Sequence, residues 1–159
     1  MGNIINASNV SLQWSDVLEM IYDSRIDAVG LNERVNSLAT RSIKRESKLE
    51  ALNMIVSMCD LTTLEGEDTE GKISQMVAKA IKPNPLDTSI SSVAAVCVYP
   101  SLVSTAKEKV KNSNVNVAAV SSYFPSGQVP MESKLLDTKY AIDSGADEID
   151  IVINRKAFL

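Results

Sequence analysis

Apolar positions follow two patterns along this chain. In five segments they recur every three or four residues, which is typical of helices with one buried face. In four others they are concentrated in short runs, which is typical of strands buried in a parallel sheet. The predicted helices run over residues 14–22, 44–57, 73–81, 102–110 and 131–142, and the predicted strands lie within residues 55–61, 93–98, 115–120 and 149–153.

Residues with special backbone preferences mark the ends of these segments. Asp68 or Thr69 is placed to cap the third helix, and Pro83 stops it because proline cannot continue a helix. Gly30 predicts a break within the polar residues 23–42. Other helix ends are marked by Pro100, Pro130 and Gly145.

The apolar stripes of the helices predict which positions pack inward. Such stripes are far more often packing surfaces than ligand sites. They consist of Trp14, Val17, Leu18, Ile21 and Tyr22 in the first helix, of Leu49, Leu52 and Val56 in the second, and of Met131, Leu135, Thr138 and Ile142 in the last.

The order of the elements is two helices followed by β-α-β-α-β-α-β. Such alternation predicts an α/β fold with parallel strands joined by right-handed helical crossovers. Two architectures fit: an open doubly wound sheet, or parallel β/α units of a (β/α)8 TIM barrel. A whole barrel has eight strands and about 250 residues, so four strands would form a half-barrel. We expect a helical amino-terminal extension over residues 1–50 and the β/α units over residues 51–159.

The fourth strand carries a carboxylate inside its apolar run. Side chains alternate along a strand, so Glu148 and Asp150 share one face while Ile149 and Ile151 share the other. The β-branched run predicts a strand buried on both faces, where an unpaired carboxylate is costly. Two interpretations of Asp150 stay open: a strand-end residue that binds backbone amides, or a functional carboxylate.

Composition narrows the classes of function. The 159 residues are 45% apolar and 23% charged, as in ordinary globular domains, and the net charge is −4. This acidic balance and the 4% aromatic content disfavour nucleic acid and anionic membranes as partners. No apolar segment reaches the roughly 20 residues of a membrane span, and residues 1–13 lack a secretory-signal pattern. We therefore expect a cytoplasmic protein.

The chain contains no histidine, which removes several chemistries at once. Ser-His and Cys-His nucleophile pairs and His-based zinc sites all require it, so acid–base chemistry would use Asp, Glu, Lys, Tyr or Cys. Cys59 and Cys97 form no Cys-x-x-Cys motif, and we expect neither a disulfide nor a metal site. No glycine-rich nucleotide loop occurs, which disfavours an open-sheet phosphate-binding enzyme.

Four motifs occur in order from about residue 50 onward. They are Asp-Leu-Thr-Thr-Leu at 60–64 followed by Asp-Thr at 68–69, Ala-Ala-Val-Cys-Val-Tyr-Pro at 94–100, Phe-Pro-Ser-Gly at 124–127, and Gly-Ala-Asp-Glu-Ile-Asp-Ile-Val-Ile-Asn-Arg at 145–155. Each motif is weak alone, but four in sequence are specific. Together they resemble the amino-terminal half of deoxyribose-phosphate aldolase, a class I aldolase on a (β/α)8 barrel. The helical residues before them resemble the extension of longer, animal-type members.

The resemblance implies a lyase of deoxyribonucleotide and carbohydrate catabolism. Its reaction is reversible cleavage of 2-deoxy-D-ribose 5-phosphate to D-glyceraldehyde 3-phosphate and acetaldehyde through a lysine Schiff base, without a metal or organic cofactor. The family's proton-transferring aspartate falls on Asp150, and its substrate-lining residues fall on Asp60, Thr62 and Cys97. From the residues alone, Asp60 could equally cap a turn, and Cys97 could be an apolar filler of the core.

The family's Schiff-base lysine motif, Phe-Ile-Lys-Thr-Ser-Thr-Gly, has no match in residues 1–159. Lys156 lies in a different motif, so we expect a truncated family chain that is inactive by itself. The alternative is a non-catalytic half-barrel with a structural or interaction role. In both cases the outer edges of the first and fourth strands are exposed, which predicts a homodimer through these edges or partial disorder.

Overall fold

The computed structural model describes residues 13–23 and 26–159. The chain divides into two compact units, Met1–Ile43 and Lys44–Leu159. Most of the predicted polar segment 1–13, and the side chain of Trp14 in the predicted first stripe, lie outside the described part.

The described residues of the first unit form α1 (Trp14–Asp23) and α2 (Ala28–Ala39). α1 confirms the first predicted helix, although three residues of its stripe, Leu18, Ile21 and Tyr22, are exposed. α2 shows that the predicted break at Gly30 was wrong. The Asp27 carboxylate caps α2 by accepting a hydrogen bond from the Gly30 N–H (2.9 Å), so this glycine lies in the first turn of a continuous helix.

The second unit alternates strands and helices as the hydrophobic pattern predicts. Thr69, not Asp68, caps its second helix, because the Thr69 hydroxyl accepts a hydrogen bond from the Lys72 N–H. The elements are α3 (Arg45–Ser57), β1 (Asp60–Thr62), α4 (Glu70–Ile81), β2 (Ala95–Val98), α5 (Val103–Lys109) after a 3-10 turn at Pro100–Leu102, β3 (Asn116–Ser121), α6 (Met131–Asp143), β4 (Glu148–Ile151) and α7 (Arg155–Phe158).

The four strands are all parallel and lie in the order β1-β2-β3-β4. The order of the strands across the sheet therefore follows their order in the sequence from one edge to the other. In a doubly wound sheet this order reverses at one point, whereas in a (β/α)8 barrel it does not, so the fold is an α/β half-barrel. In the described part of the chain, β1 and β4 are the edges of this sheet, as expected.

The main core lies between the sheet and one layer of helices. Alternate side chains of β2 and β3 contact residues of α4, α5 and α6 there. The buried members are Ile73, Val77, Ala80, Val93, Val96, Val98, Val103, Ala106, Val110, Val115, Val117, Ala119 and Ala141. The opposite sheet face carries a smaller buried cluster whose members are Ala95, Cys97, Ala118 and Val120.

Asp147 binds the start of β4 to β3 and to α5. Its carboxylate accepts hydrogen bonds from the Val117 backbone N–H (2.9 Å) and from the Lys107 ammonium of α5 (2.5 and 2.6 Å). Burial by itself raises the pKa of Asp147, but the hydrogen bonds from these two donors lower it by more. The pKa therefore lies below its usual value. This ion pair lies at the amino-terminal end of the strands, where residues of barrel folds serve stability.

Several helix positions expected to face inward are exposed instead. In α3 only Val56 of the predicted stripe packs against the core, while Leu49 and Leu52 are exposed because the helix reaches the core only near its carboxyl end. In α6, Ala141 is buried and the Thr138 hydroxyl contacts the Ser121 hydroxyl at 2.6 Å. The remaining predicted members, Met131, Leu135 and Ile142, are exposed.

The expectation that the fourth strand is buried on both faces was also wrong. Glu148, Asp150 and Ile151 of β4 are exposed, and only Ile149 is partly buried. The reason is the position of β4 at the edge of the sheet, where α6 covers it on one side and no described element covers it on the other.

Candidate active site

Strand register places the four predicted site residues on the sheet face opposite α4, α5 and α6, called the helix-free face because no described helix of the second unit packs against it. Paired residues of parallel strands point to the same face. Asp60 pairs with Ala95, and Thr62 pairs with Cys97. Across the sheet, Asp150 pairs with Val120, which belongs to the same buried cluster as Cys97. The structure therefore brings Asp60, Thr62, Cys97 and Asp150 to one face.

One row of this face runs through all four strands. Thr62, Cys97, Ala118 and Glu148 are consecutive partners in register. Cys97 lies at the middle of the face and is only 4% exposed. Burial raises the pKa of its thiol, and the charges of Asp150 and Asp60 add to the rise, whereas a hydrogen bond with Thr62 lowers it. The Cys97 thiol is thus held neutral and is a poor nucleophile.

Three carboxylates surround this buried thiol. Asp60 lies on the β1 edge, and Glu148 and Asp150 lie on β4. Burial raises the pKa of Asp60, and the negative charges of Glu148 and Asp150 raise it further against the lowering effect of an Ala95 backbone hydrogen bond. The face therefore holds three carboxylates, two of which raise the pKa of the third, and a carboxylate with a shifted pKa in such a place is a candidate functional group.

Apolar residues from three loops cover the carboxyl-terminal part of this face. Leu64 follows β1, Tyr99 follows β2 and Phe124 follows β3, and all three pack against the cluster around Cys97. Barrel enzymes build their active sites at the same end of the strands. Tyr99 and Phe124 also line a cavity of about 190 Å³ with Val120 and Asp137.

A larger depression of about 370 Å³ lies at the outer edge of β1, beside α4. Its lining includes Leu61, Met76 and Lys79, and Leu61 and Met76 pack on the helix side of the sheet. Among the four predicted site residues only Thr62 reaches it. We therefore locate the candidate site on the helix-free face, where all four residues lie.

Glu148 lies at the candidate site but was not among the site residues predicted from the sequence. The Glu148 carboxylate accepts a hydrogen bond from the Asn116 side chain (2.8 Å), and its charge raises the pKa of Asp60. Alternation along the strand already placed Glu148 on the face of Asp150, so that signal could have found it. No local hydrophobic pattern predicts that Leu64, Tyr99 and Phe124 pack together, because these residues meet only in the folded chain.

The site offers carboxylates, a neutral thiol and a hydroxyl, but its strand positions offer no cation. None of the residues that face this side from β1 to β4 is a lysine or an arginine; these are Asp60, Thr62, Ala95, Cys97, Asn116, Ala118, Val120, Glu148 and Asp150. Within residues 13–23 and 26–159, no group of three or more His, Cys, Asp or Glu side chains could hold a metal ion. The same part of the chain contains no helix with the length and apolarity needed to cross a membrane.

Comparison with known proteins identifies one family. The chain is 39% identical over 132 residues to human deoxyribose-phosphate aldolase, a match that covers 76% of this chain and 41% of the human protein. It is 41% identical over 98 residues to deoxyribose-phosphate aldolase of Mycoplasma mobile, covering 62% of this chain and 41% of that protein. The chain thus spans about two fifths of the length of these relatives. No protein-family model matches it.

Solved structures give the same result for the fold. A crystal structure of a Coccidioides immitis protein assigned as a deoxyribose-phosphate aldolase matches with a TM-score of 0.56 and 29% identity, covering 64% of this chain and 37% of that one. A tetrameric deoxyribose-phosphate aldolase from Aeropyrum pernix matches with a TM-score of 0.54 and 24% identity, covering 66% of this chain and 41% of that one.

Proposed function

Because this chain belongs, over the region that it matches, to the deoxyribose-phosphate aldolase family, we propose that its helix-free sheet face is part of an aldolase active site. The observation that supports this proposal most strongly is the convergence of Asp60, Cys97 and Asp150. These residues come from three separate motifs and three different strands, yet they share one face. Packing alone gives no reason for charged residues to gather there.

The proposed reaction is the reversible cleavage of 2-deoxy-D-ribose 5-phosphate to D-glyceraldehyde 3-phosphate and acetaldehyde. The bond between C2 and C3 breaks, so the 3-hydroxyl must lose a proton and C2 must gain one. We assign the proton transfer to Asp150, and contact with the substrate to Asp60, Thr62 and Cys97. Burial and the charges of Glu148 and Asp150 raise the pKa of Asp60, so the environment of this substrate-contacting carboxylate opposes its charge.

The electron sink of this reaction is an imine formed with a lysine amine, and we propose that this amine comes from outside residues 1–159. The strand positions of the face hold no lysine, and no segment of the sequence resembles the family's lysine motif. The amine would then belong to a later part of a longer chain or to a partner chain. A cationic nitrogen beside Asp60, Glu148 and Asp150 would also relieve their mutual repulsion.

Complementation tests the proposal directly. This chain is mixed with the part of human deoxyribose-phosphate aldolase that lies beyond the matched region, and release of glyceraldehyde 3-phosphate from deoxyribose 5-phosphate is followed. We expect activity from the mixture, and a loss of at least about 100-fold with Asp150→Asn, the range of a general acid–base group. Asp143→Asn changes an exposed carboxylate on α6 and serves as the matched control, which should leave the activity unchanged.

A stable complex without activity, or activity that Asp150→Asn leaves intact, would contradict this assignment. A complex without activity would favour a second candidate function, a non-catalytic half-barrel with an interaction role. The specific observation behind this alternative is the face itself, which lacks any cation among its strand positions.

A further inference from the structure

Asp68 is an almost enclosed carboxylate on the segment between β1 and α4. Its side chain is 1% exposed, whereas Lys72, its ion-pair partner at 2.5 Å, is 47% exposed. The carboxylate also accepts hydrogen bonds from the Thr63 hydroxyl (2.9 and 3.0 Å) and from the Glu65 backbone N–H (3.0 Å). The hydrogen bond from Lys72, together with these donors, holds the pKa of Asp68 below its usual value. Asp68 is therefore ionised at neutral pH, and it links Thr63 at the start of this segment to Lys72 in α4.

Thr63 connects the Asp68 network to the sheet. It is 9% exposed, and its backbone N–H donates to the Cys97 carbonyl oxygen (3.1 Å) while its hydroxyl donates to Asp68. The residues on either side of Thr63 face the candidate site. Thr62 lies beside Cys97 as its partner in the strand register, and Leu64 packs against the cluster around Cys97. A displacement of Thr63 would move both neighbours away from Cys97.

We propose that Asp68 is a positioning residue of the candidate site, which acts through Thr63 to hold Thr62 and Leu64 against Cys97. The proposal rests on the proposed function only for the identity of the site, because the contacts exist in this chain whether or not a reaction follows. Without the carboxylate, the Thr63 hydroxyl and the Glu65 N–H lose their shared acceptor. The segment then opens locally, Leu64 leaves the cluster, and the Cys97 thiol becomes accessible.

The rate at which Cys97 reacts with dithiodipyridine measures this opening. The chain has two cysteines, and the exposed Cys59 is first replaced by serine so that only Cys97 reports. We expect Asp68→Ala to raise the rate about tenfold at neutral pH, the equivalent of one lost hydrogen bond to a charged group. The increase should hardly change with low concentrations of urea, because a local opening exposes little surface, whereas global unfolding is steeply urea-dependent.

Asp147→Asn is the matched control, because it removes a carboxylate that also binds a lysine and a backbone N–H, at the opposite end of the strands. It should lower Tm but leave the Cys97 rate within about twofold of the parent. Equal increases in both variants, a steep urea dependence, or no increase with Asp68→Ala would each overturn the proposal. If Asp68→Ala does not fold, Thr63→Val decides: it should raise the rate about threefold, and an unchanged rate would overturn the proposal.

The complemented aldolase gives a second readout. Asp68→Asn should lower kcat/KM about tenfold while Asp147→Asn leaves it unchanged, because only the first variant disturbs the segment next to the site. If a stable complex forms and shows no activity, the proposed function fails, and the thiol experiment still tests the positioning role on the chain alone.

Discussion

Asp60 is the carboxylate whose environment opposes its charge most clearly. Burial and the charges of Glu148 and Asp150 raise its pKa in the folded chain. Between the unfolded pKa of about 3.9 and the raised folded value, the folded state binds more protons than the unfolded state. The free energy of unfolding therefore falls as pH rises through this window, and ionised Asp60 destabilises the chain at neutral pH. Such a cost is common at functional sites.

Replacing Asp60 by asparagine should therefore stabilise the chain. We expect Asp60→Asn to increase the free energy of unfolding at pH 7 by less than about 1 kcal/mol, because Asp60 is exposed and water screens the repulsion. The gain should vanish below about pH 3.5, where the carboxyl is protonated in both states. Chemical denaturation at several pH values measures it, and a loss of stability at pH 7 would contradict the pKa direction.

Motifs identified Asp60, Thr62, Cys97 and Asp150, and the structure places all four together. The influence of Glu148 on Asp60 could not be predicted in the same way. These residues come from strands at opposite ends of the sheet, and their electrostatic coupling depends on pairings that no local pattern encodes.

At the scale of elements, the loop between β3 and α6 packs against the chain just after β4. Gly127 is buried in this loop with a φ of +65°, a conformation that favours glycine. A Cβ on Gly127 would lie 3.0 Å from the Ile153 carbonyl oxygen and 3.2 Å from that of Val152, both of which are backbone atoms that cannot move away easily. The glycine of the Phe-Pro-Ser-Gly motif is therefore required by a close approach of two segments.

Gly127→Ala should destabilise the second unit by about 2 kcal/mol, through the left-handed backbone and the contact together. Gly66→Ala is the matched control, because no atom lies within 4 Å of its Cβ position and its φ is not positive. We expect that control to stay within about 0.5 kcal/mol of the parent in urea denaturation. Equal effects of the two substitutions would show that the approach of Ile153 does not constrain the loop.

Local pattern predicted the elements well and their exposure less well. The run 149–153 was correctly predicted to contain a strand, which the structure places at Glu148–Ile151, but its burial depends on what covers β4 rather than on its own residues. Gly30 was misread because its low helix propensity is offset by the Asp27 cap, a contact that acts within the first turn. Periodicity reports which residues share a face, and only the fold decides whether that face is covered.

The four-stranded sheet leaves two unpaired parallel edges in the described part of the chain. Ile151 on the β4 edge is 63% exposed, and Leu135 and Leu136 on the neighbouring α6 are exposed as well. Unpaired edges with apolar surface favour association. We predict that residues 1–159 by themselves form a homodimer through these edges.

Sedimentation equilibrium of the parent and of Ile151→Lys tests this prediction. A lysine on an edge strand opposes pairing, so we expect the variant to dissociate at least about tenfold more readily. Leu86→Lys changes a loop residue that is 96% exposed and should leave association unchanged. A parent chain that stays monomeric and melts cooperatively would contradict the prediction.

Reductive trapping tests the proposal that this face is an aldolase site whose lysine amine lies outside residues 1–159. The chain is incubated with acetaldehyde or deoxyribose 5-phosphate, reduced with borohydride and weighed by mass spectrometry, alone and with the complementing segment. We predict no stoichiometric adduct on this chain in either case, and one adduct on a lysine of the complementing segment. A single stoichiometric adduct on one lysine of this chain, such as Lys156, would contradict the claim.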